Sequence, residues 1–164
     1  MLKHEQTLSE LRSIIAKPGK LVWIGIRSAH RDAMSMPDSV LLIENCGIEG
    51  DHSANRPGKK RQISLIQSEH IEVIRGLTGR KTLEPELLRR NLVLEGINLL
   101  ALKDQKFSIG NTILEGSGTC VPCSRMEETL GRGGYNAVRG HGGITARVIQ
   151  GGPIHLGDPV SLIE

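Results

Sequence analysis

The sequence predicts a mainly β domain with a few short helices, its strands rolled into a barrel-like form. Three observations carry this. Short β-rich runs recur at close spacing along the whole chain, most of them bounded by glycine or proline. The 164 residues include 20 glycines but only one Trp, one Tyr and one Phe, so many tight turns and a core of Ile, Val and Leu are expected. Helical spacing surfaces only in brief stretches, without the regular strand–helix alternation of a doubly wound sheet.

In chain order, residues 7–16 read as a helix: Leu8, Leu11, Ile14 and Ile15 follow helical spacing, and Lys17-Pro18-Gly19 ends it. Residues 21–26 form a strand, 30–38 a polar loop around Pro37, and 40–43 a second strand. Residues 47–52 are turn-rich and lead into the polar loop 53–60. Residues 62–66 alternate as a strand, and Ser68 is placed to cap a helix with Ile71, Ile74 and Leu77 on one face. Residues 83–89 read as a short helix with Pro85 in its first turn, and 91–94 as a strand. Residues 107–114 make two short β segments around a turn. A helix over 124–130 stops at Gly131, and glycine-rich turns fill 131–143. Residues 144–149 are a strand, Gly151-Gly152-Pro153 a turn, and 160–163 the last strand. The chain divides into an N-terminal helical extension, 1–19, and one domain, 20–164.

Composition excludes several function classes. A net charge of +3 with no long basic stripe and no aromatic platform does not suit nucleic-acid binding, and the run Lys59-Lys60-Arg61 reads as a solvated turn. No apolar run approaches the ~18 residues needed to span a bilayer. The opening Met1-Leu2-Lys3-His4-Glu5-Gln6 has no signal-peptide core, so a cytoplasmic protein is expected. The three cysteines, Cys46, Cys120 and Cys123, are then thiols rather than staples.

Four constellations could do chemistry. Cys120-Val121-Pro122-Cys123 sits too late, and in too β-rich a context, for a thioredoxin-like site, and it lacks the second ligand pair of a structural zinc site. Pro122 before Cys123 and a helix after it place that sulfur near a helix N-terminus, where thiolate is favoured; Cys46 and Cys120 read as small buried apolar groups. Arg89-Arg90-Asn91, at a helix-to-strand junction, offers donors for a phosphate or else a solvated helix end. Gly50-Asp51-His52 reads as a pocket edge or a simple turn. Gly140-His141-Gly142-Gly143 reads as a backbone nest for an anion or a flexible turn. His30, His70 and His155 have no partner pattern and go to the surface or the core.

In order along the chain stand Gly47-Ile48-Glu49-Gly50-Asp51-His52, Arg61-Gln62-Ile63-Ser64-Leu65, Arg90-Asn91-Leu92-Val93, Phe107-Ser108-Ile109-Gly110 with Leu114, Pro122-Cys123, and Ala146-Arg147-Val148 with Gly152 and Gly157-Asp158-Pro159-Val160. This ordered set resembles the signature of the MOSC domain, named for the C-terminal part of molybdenum cofactor sulfurase, over roughly residues 20–163. The resemblance implies a barrel-like fold and a role in molybdenum cofactor (molybdopterin) chemistry. It also brings a family-level association with pyridoxal phosphate binding. By the same resemblance Cys123 is the thiolate ligand to molybdenum, and Arg90 and Asn91 hold the cofactor, with either Arg89 or Arg90 taking the arginine's place. Gln67 and Ser68 face the cofactor from the start of a helix, and Asp51, His52 and His141 are pocket-wall candidates. A soft thiolate suits the metal and arginine suits the phosphate. Larger relatives carry a further N-terminal barrel-like domain, whereas one helix precedes the signature in this chain.

Three functions are compatible with these residues. The first is an enzyme that reduces N-hydroxylated or N-oxide substrates, re-reduced by an electron donor. The second is a carrier that passes the cofactor, or persulfide sulfur on Cys123, to a client molybdoenzyme. The third is a domain that keeps the fold and binds no metal.

Overall fold

The computed structural model describes residues 5–29 and 31–163. The readings placed on residues 1–4 and on His30 lie outside the described residues. Along the described chain run α1 (Leu8–Arg12), β1 (Gly19–Ile24), β2 (Ser39–Ile43), β3 (Gly47–Ile48), β4 (Ile63–Gln67), α2 (Ser68–Thr78) and β5 (Leu92–Glu95). There follow β6 (Lys106–Ile109), β7 (Thr112–Thr119), α3 (Ser124–Leu130), α4 (Gly134–Val138), β8 (Ile144–Gln150), β9 (Gly152–His155) and β10 (Pro159–Leu162).

Seven strands close into a barrel in the order β1-β10-β6-β7-β8-β4-β5, and β3-β2-β9 form a small separate sheet. The mainly β, barrel-like fold expected from the sequence is the fold observed. Within the barrel only β4 and β5 pair in parallel. Parallel neighbours cannot be joined by a tight hairpin, and α2 supplies the crossover.

With helices packed on the barrel wall there, β4 and β5 bury apolar side chains on both faces. Leu65, Leu92 and Leu94 point into the barrel with Leu21, Phe107 and Val148. Ile66 and Val93 point outward into a second core, under Ile74 of α2, Met126 and Leu130 of α3, and Val138 of α4. Two apolar clusters, one inside the barrel and one between its wall and three helices, therefore share two strands. Burying each such Leu or Ile contributes about 1.5–3 kcal/mol before entropy is counted.

Several local expectations are corrected. The helix expected over 7–16 is the single turn α1, held by a Thr7/Glu10 capping box and burying none of its residues. Leu8, Leu11 and Ile14 are exposed and Ile15, beyond the end of α1, is the one expected apolar position that packs on the barrel core, too little to extend a helix too short to be stable alone. Ser68 is the first residue of α2 rather than its cap; Gln67 holds the cap position and makes no side-chain cap bond. Residues 83–89 contain only a 3₁₀ turn, Pro85–Leu88. The turns expected over 131–143 include α4, whose Ala137 and Val138 are buried against α2 and α3. Gly152 and Pro153 belong to β9 and pair with Leu42 and Leu41 of β2. Pattern reading missed both because α4 is too short for a period to show, and because Pro153 sits on the edge strand, where no amide is needed.

Candidate functional site

At one end of the barrel, loops after β1, before β4, before β5 and after β7 converge on a cleft of about 240 Å³. Four arginines line it: Arg27, Arg61, Arg89 and Arg90. Burial, then the neighbouring Arg89, lowers the Arg27 pKa; Asp51 opposes this and Arg125 adds to it. Arg27 stays charged all the same, because a guanidinium does not lose its proton in a protein. Nη1 of Arg27 and Nε of Arg89 are both buried with no hydrogen-bond partner among the described residues. Buried, unsatisfied donors on adjacent cations are costly, and an anion in the cleft relieves both the repulsion and the missing bonds.

Arg89 carries a further mark. Its backbone is left-handed (φ 56°), where a long side chain is disfavoured. That turn throws Arg89 and Arg90 to different tasks. Arg90 is a brace: Nε donates to the Gly142 carbonyl at 2.8 Å and Nη1 to the Leu88 carbonyl at 3.0 Å. Arg89 donates through Nη2 to the Asp32 carbonyl at 3.2 Å and leaves Nε bare. Both line the cleft.

Asn91 also lines the cleft, yet its side chain is spent on the protein. Oδ1 accepts from the Ser64 amide at 3.1 Å and the Ser64 hydroxyl at 3.2 Å, and Nδ2 donates to the Gly25 carbonyl at 3.1 Å. It ties β4 and the end of β1 to β5. Asp51 is buried and does similar work, accepting from the Arg27 amide at 3.1 Å and from the Ser53 amide and hydroxyl. His52 lines the cleft, with Nδ1 4.0 Å from Asp51 Oδ2.

Cys120 and Val121 form the wall between this cleft and a second hollow of about 350 Å³. Burial pushes the Cys120 thiol pKa up, and Arg90 and Arg61 pull it back. The Cys120 amide donates to the Gly143 carbonyl at 2.8 Å. Gly143 has φ +89°, and a Cβ there would collide with the Leu65 carbonyl oxygen; on Gly142 it would collide with that of Cys120. Gly142 and Gly143 thus form a tight junction between β4, β8 and the Cys120 segment. Cys123 is exposed, occupies the N-cap position of α3 and lines neither hollow.

The remaining expected site residues scatter. Gln67 lines the second hollow, its Oε1 accepting from the Leu99 amide at 3.0 Å. Ser68 faces a different surface, beside Val22 and Trp23. His141 lines neither hollow but packs edge-on against His70 of the second one, ring centroids 5.1 Å apart. The sequence reading missed Arg27, which has no motif around it, and took Arg61 for part of a solvated run. Among the described residues no group of three or more His, Cys, Asp or Glu is placed to hold a metal ion. No helix among them is long and apolar enough to cross a membrane.

The MOSC domain family model matches residues 52–161. Among solved structures the chain is similar to the YuaD protein from Bacillus subtilis, with a TM-score of 0.76 and 21% identity over 87% of this chain and 94% of that one. It is also similar to YiiM from Geobacillus stearothermophilus, with a TM-score of 0.71 and 19% identity over 90% of this chain and 76% of that one. For YiiM from Escherichia coli the values are 0.67 and 17%, over 88% and 70%. Among curated proteins nothing matches.

Proposed function

This chain belongs to the MOSC domain family, and from that premise we propose that it holds the molybdenum cofactor, with the cofactor's phosphate in the four-arginine cleft. The observation that carries the reading is the pair of buried, unpartnered guanidinium nitrogens on Arg27 and Arg89. A phosphate-bearing, thiolate-bound metal cofactor fits the residues present: arginines for the phosphate and the two thiols of the Cys120–Cys123 segment, one in the cleft wall and one exposed beside it, for the metal. Pyridoxal phosphate fits less well, since no lysine lines either hollow and its Schiff base needs one.

Arg27, Arg61 and Arg89 would hold the phosphate, while Arg90, Asn91 and Asp51 keep the cleft in shape. The thiolate donor is proposed at Cys123, on the family pattern, with Cys120 as the thiol that the cleft itself presents. When bound, the cofactor would supply reducing chemistry suited to N-hydroxylated or N-oxide substrates, with an external electron donor.

A second reading has its own observation. Cys123 is exposed, and sulfur transfer needs an accessible thiol more than a deep pocket. The chain would then carry the cofactor, or a persulfide on Cys123, to a client molybdoenzyme.

Metal and pterin analysis of protein from a cofactor-producing host tests both. Stoichiometric molybdenum and pterin, lost in Arg27→Ala, support the first; N-hydroxylated-base reduction then tests the enzyme. Cyanide-labile sulfur on a metal-free protein, lost in Cys123→Ser, supports the second. If Cys120→Ser and Cys123→Ser each leave metal, labile sulfur and activity unchanged, both readings fail.

A further inference from the structure

The second hollow is not explained by an anion in the arginine cleft. Leu99, Leu100, Val121, Pro122 and Ile144 make it mostly apolar, and backbone alone forms its wall at Gly140, Gly142 and Gly143. A Cβ on Gly140 would meet nothing within 4 Å, so the space beside it is open. Three apolar side chains at its rim are exposed: Leu100 at 59%, Val121 at 68% and Tyr135 at 43%. Apolar exposure gathered around a concavity marks a surface that a ligand covers.

The polar groups in the hollow narrow the choice. Gln67 is engaged, by the Leu99 amide and Glu69. Burial, then the facing His141, lowers the His70 pKa and favours the uncharged imidazole. Arg139 is the one full charge among the lining residues; its Nη1 donates to Asn136 Oδ1, which sets the guanidinium's direction. An apolar slot with a single cation at its mouth suits a flat apolar body bearing one negative group.

We propose that this hollow is a small-molecule site, separate from the arginine cleft, for a planar aromatic acid of one or two rings. The rings lie between the apolar walls, the acid group meets Arg139, and His70 hydrogen-bonds a polar edge of the ring. The volume of about 350 Å³ falls at the small end of the ~300–1,000 Å³ of small-molecule sites. The occupant would lie across the Cys120-Val121 wall from the arginines.

Two probes test this on cofactor-free protein by calorimetric titration: 2-naphthalenesulfonate, flat and anionic, and 2-naphthol, flat and neutral. Both should bind. Leu100→Asp, at an exposed position, should weaken both at least about tenfold by placing a charge in the apolar slot. Arg139→Gln should weaken the sulfonate about tenfold and leave naphthol within about twofold. Arg27→Ala and Arg89→Ala should change neither probe. No binding of either probe at millimolar concentration overturns the proposal, as does equal weakening of both by Arg139→Gln or sensitivity to Arg27→Ala. A protein found to carry no molybdenum or pterin would defeat the cofactor reading and leave this one standing.

Discussion

Removing the Asn91 side chain should cost stability before it costs ligand. In Asn91→Ala the Ser64 amide loses its acceptor and the Gly25 carbonyl loses its donor, at a residue only 8% exposed. The Ser64 hydroxyl can turn to another acceptor, but the two backbone groups are fixed. Each buried group left unsatisfied costs about 1–3 kcal/mol, so the variant should lose about 3 kcal/mol. For a chain of this size that lowers Tm by about 6–12 °C. Ser64→Ala removes only the hydroxyl and should cost about 1 kcal/mol. The double variant should fall short of the sum, because the two side chains share a bond. Thermal melts and urea titrations with an unchanged slope give these values directly. A loss of less than about 0.5 kcal/mol in Asn91→Ala, close to the noise for a surface change, would refute the claim that this side chain ties three strands together. Its place in the cleft would then be a matter of ligand contact alone.

Arg89→Gly should raise stability by about 1 kcal/mol, because glycine accepts the left-handed backbone that arginine strains, while molybdenum and pterin content fall; a melt and a metal assay on one sample would show the opposed signs. Gly143→Ala should lower Tm by about 6 °C or more, since it meets both a positive φ and the Leu65 carbonyl; a shift within about 2 °C would contradict the tight junction. Glu127 accepts from the Gly133 and Tyr135 amides at 2.8 Å each, and these bonds hold its pKa below the ordinary carboxylate value. A lowered folded-state pKa means that the contribution is present above the unfolded value and lost as pH falls through the folded one. The Gly133 and Tyr135 amide resonances should therefore titrate with a midpoint below 4.5, and in Glu127→Gln they should not titrate at all.

The barrel was legible because its signals are local. Short apolar runs between glycines, the 124–130 helix closed by Gly131 and the ordered signature ending in Gly157-Asp158-Pro159-Val160 all state themselves within a few residues. The helix α4 was not legible, because five residues cannot display a period and its N-terminal amides are satisfied by Glu127, six and eight residues earlier in the chain. The left-handed turn at Arg89 was hidden for a different cause: nothing in Leu88-Arg89-Arg90 asks for positive φ.

By itself the sequence determined the fold class and the family, since propensity, turn chemistry and motif order are properties of the chain. Only the tertiary structure decided which side chains face that cleft. Arg27, Arg61, Arg89 and Cys120 come from four segments far apart in sequence, and burial is a property of their meeting. It made a solvated-looking run contribute Arg61, turned Arg90 and Asn91 into braces, and set Cys120 in the wall with Cys123 outside it. The charge and the missing hydrogen bonds that call for an anion exist only once those segments are packed together.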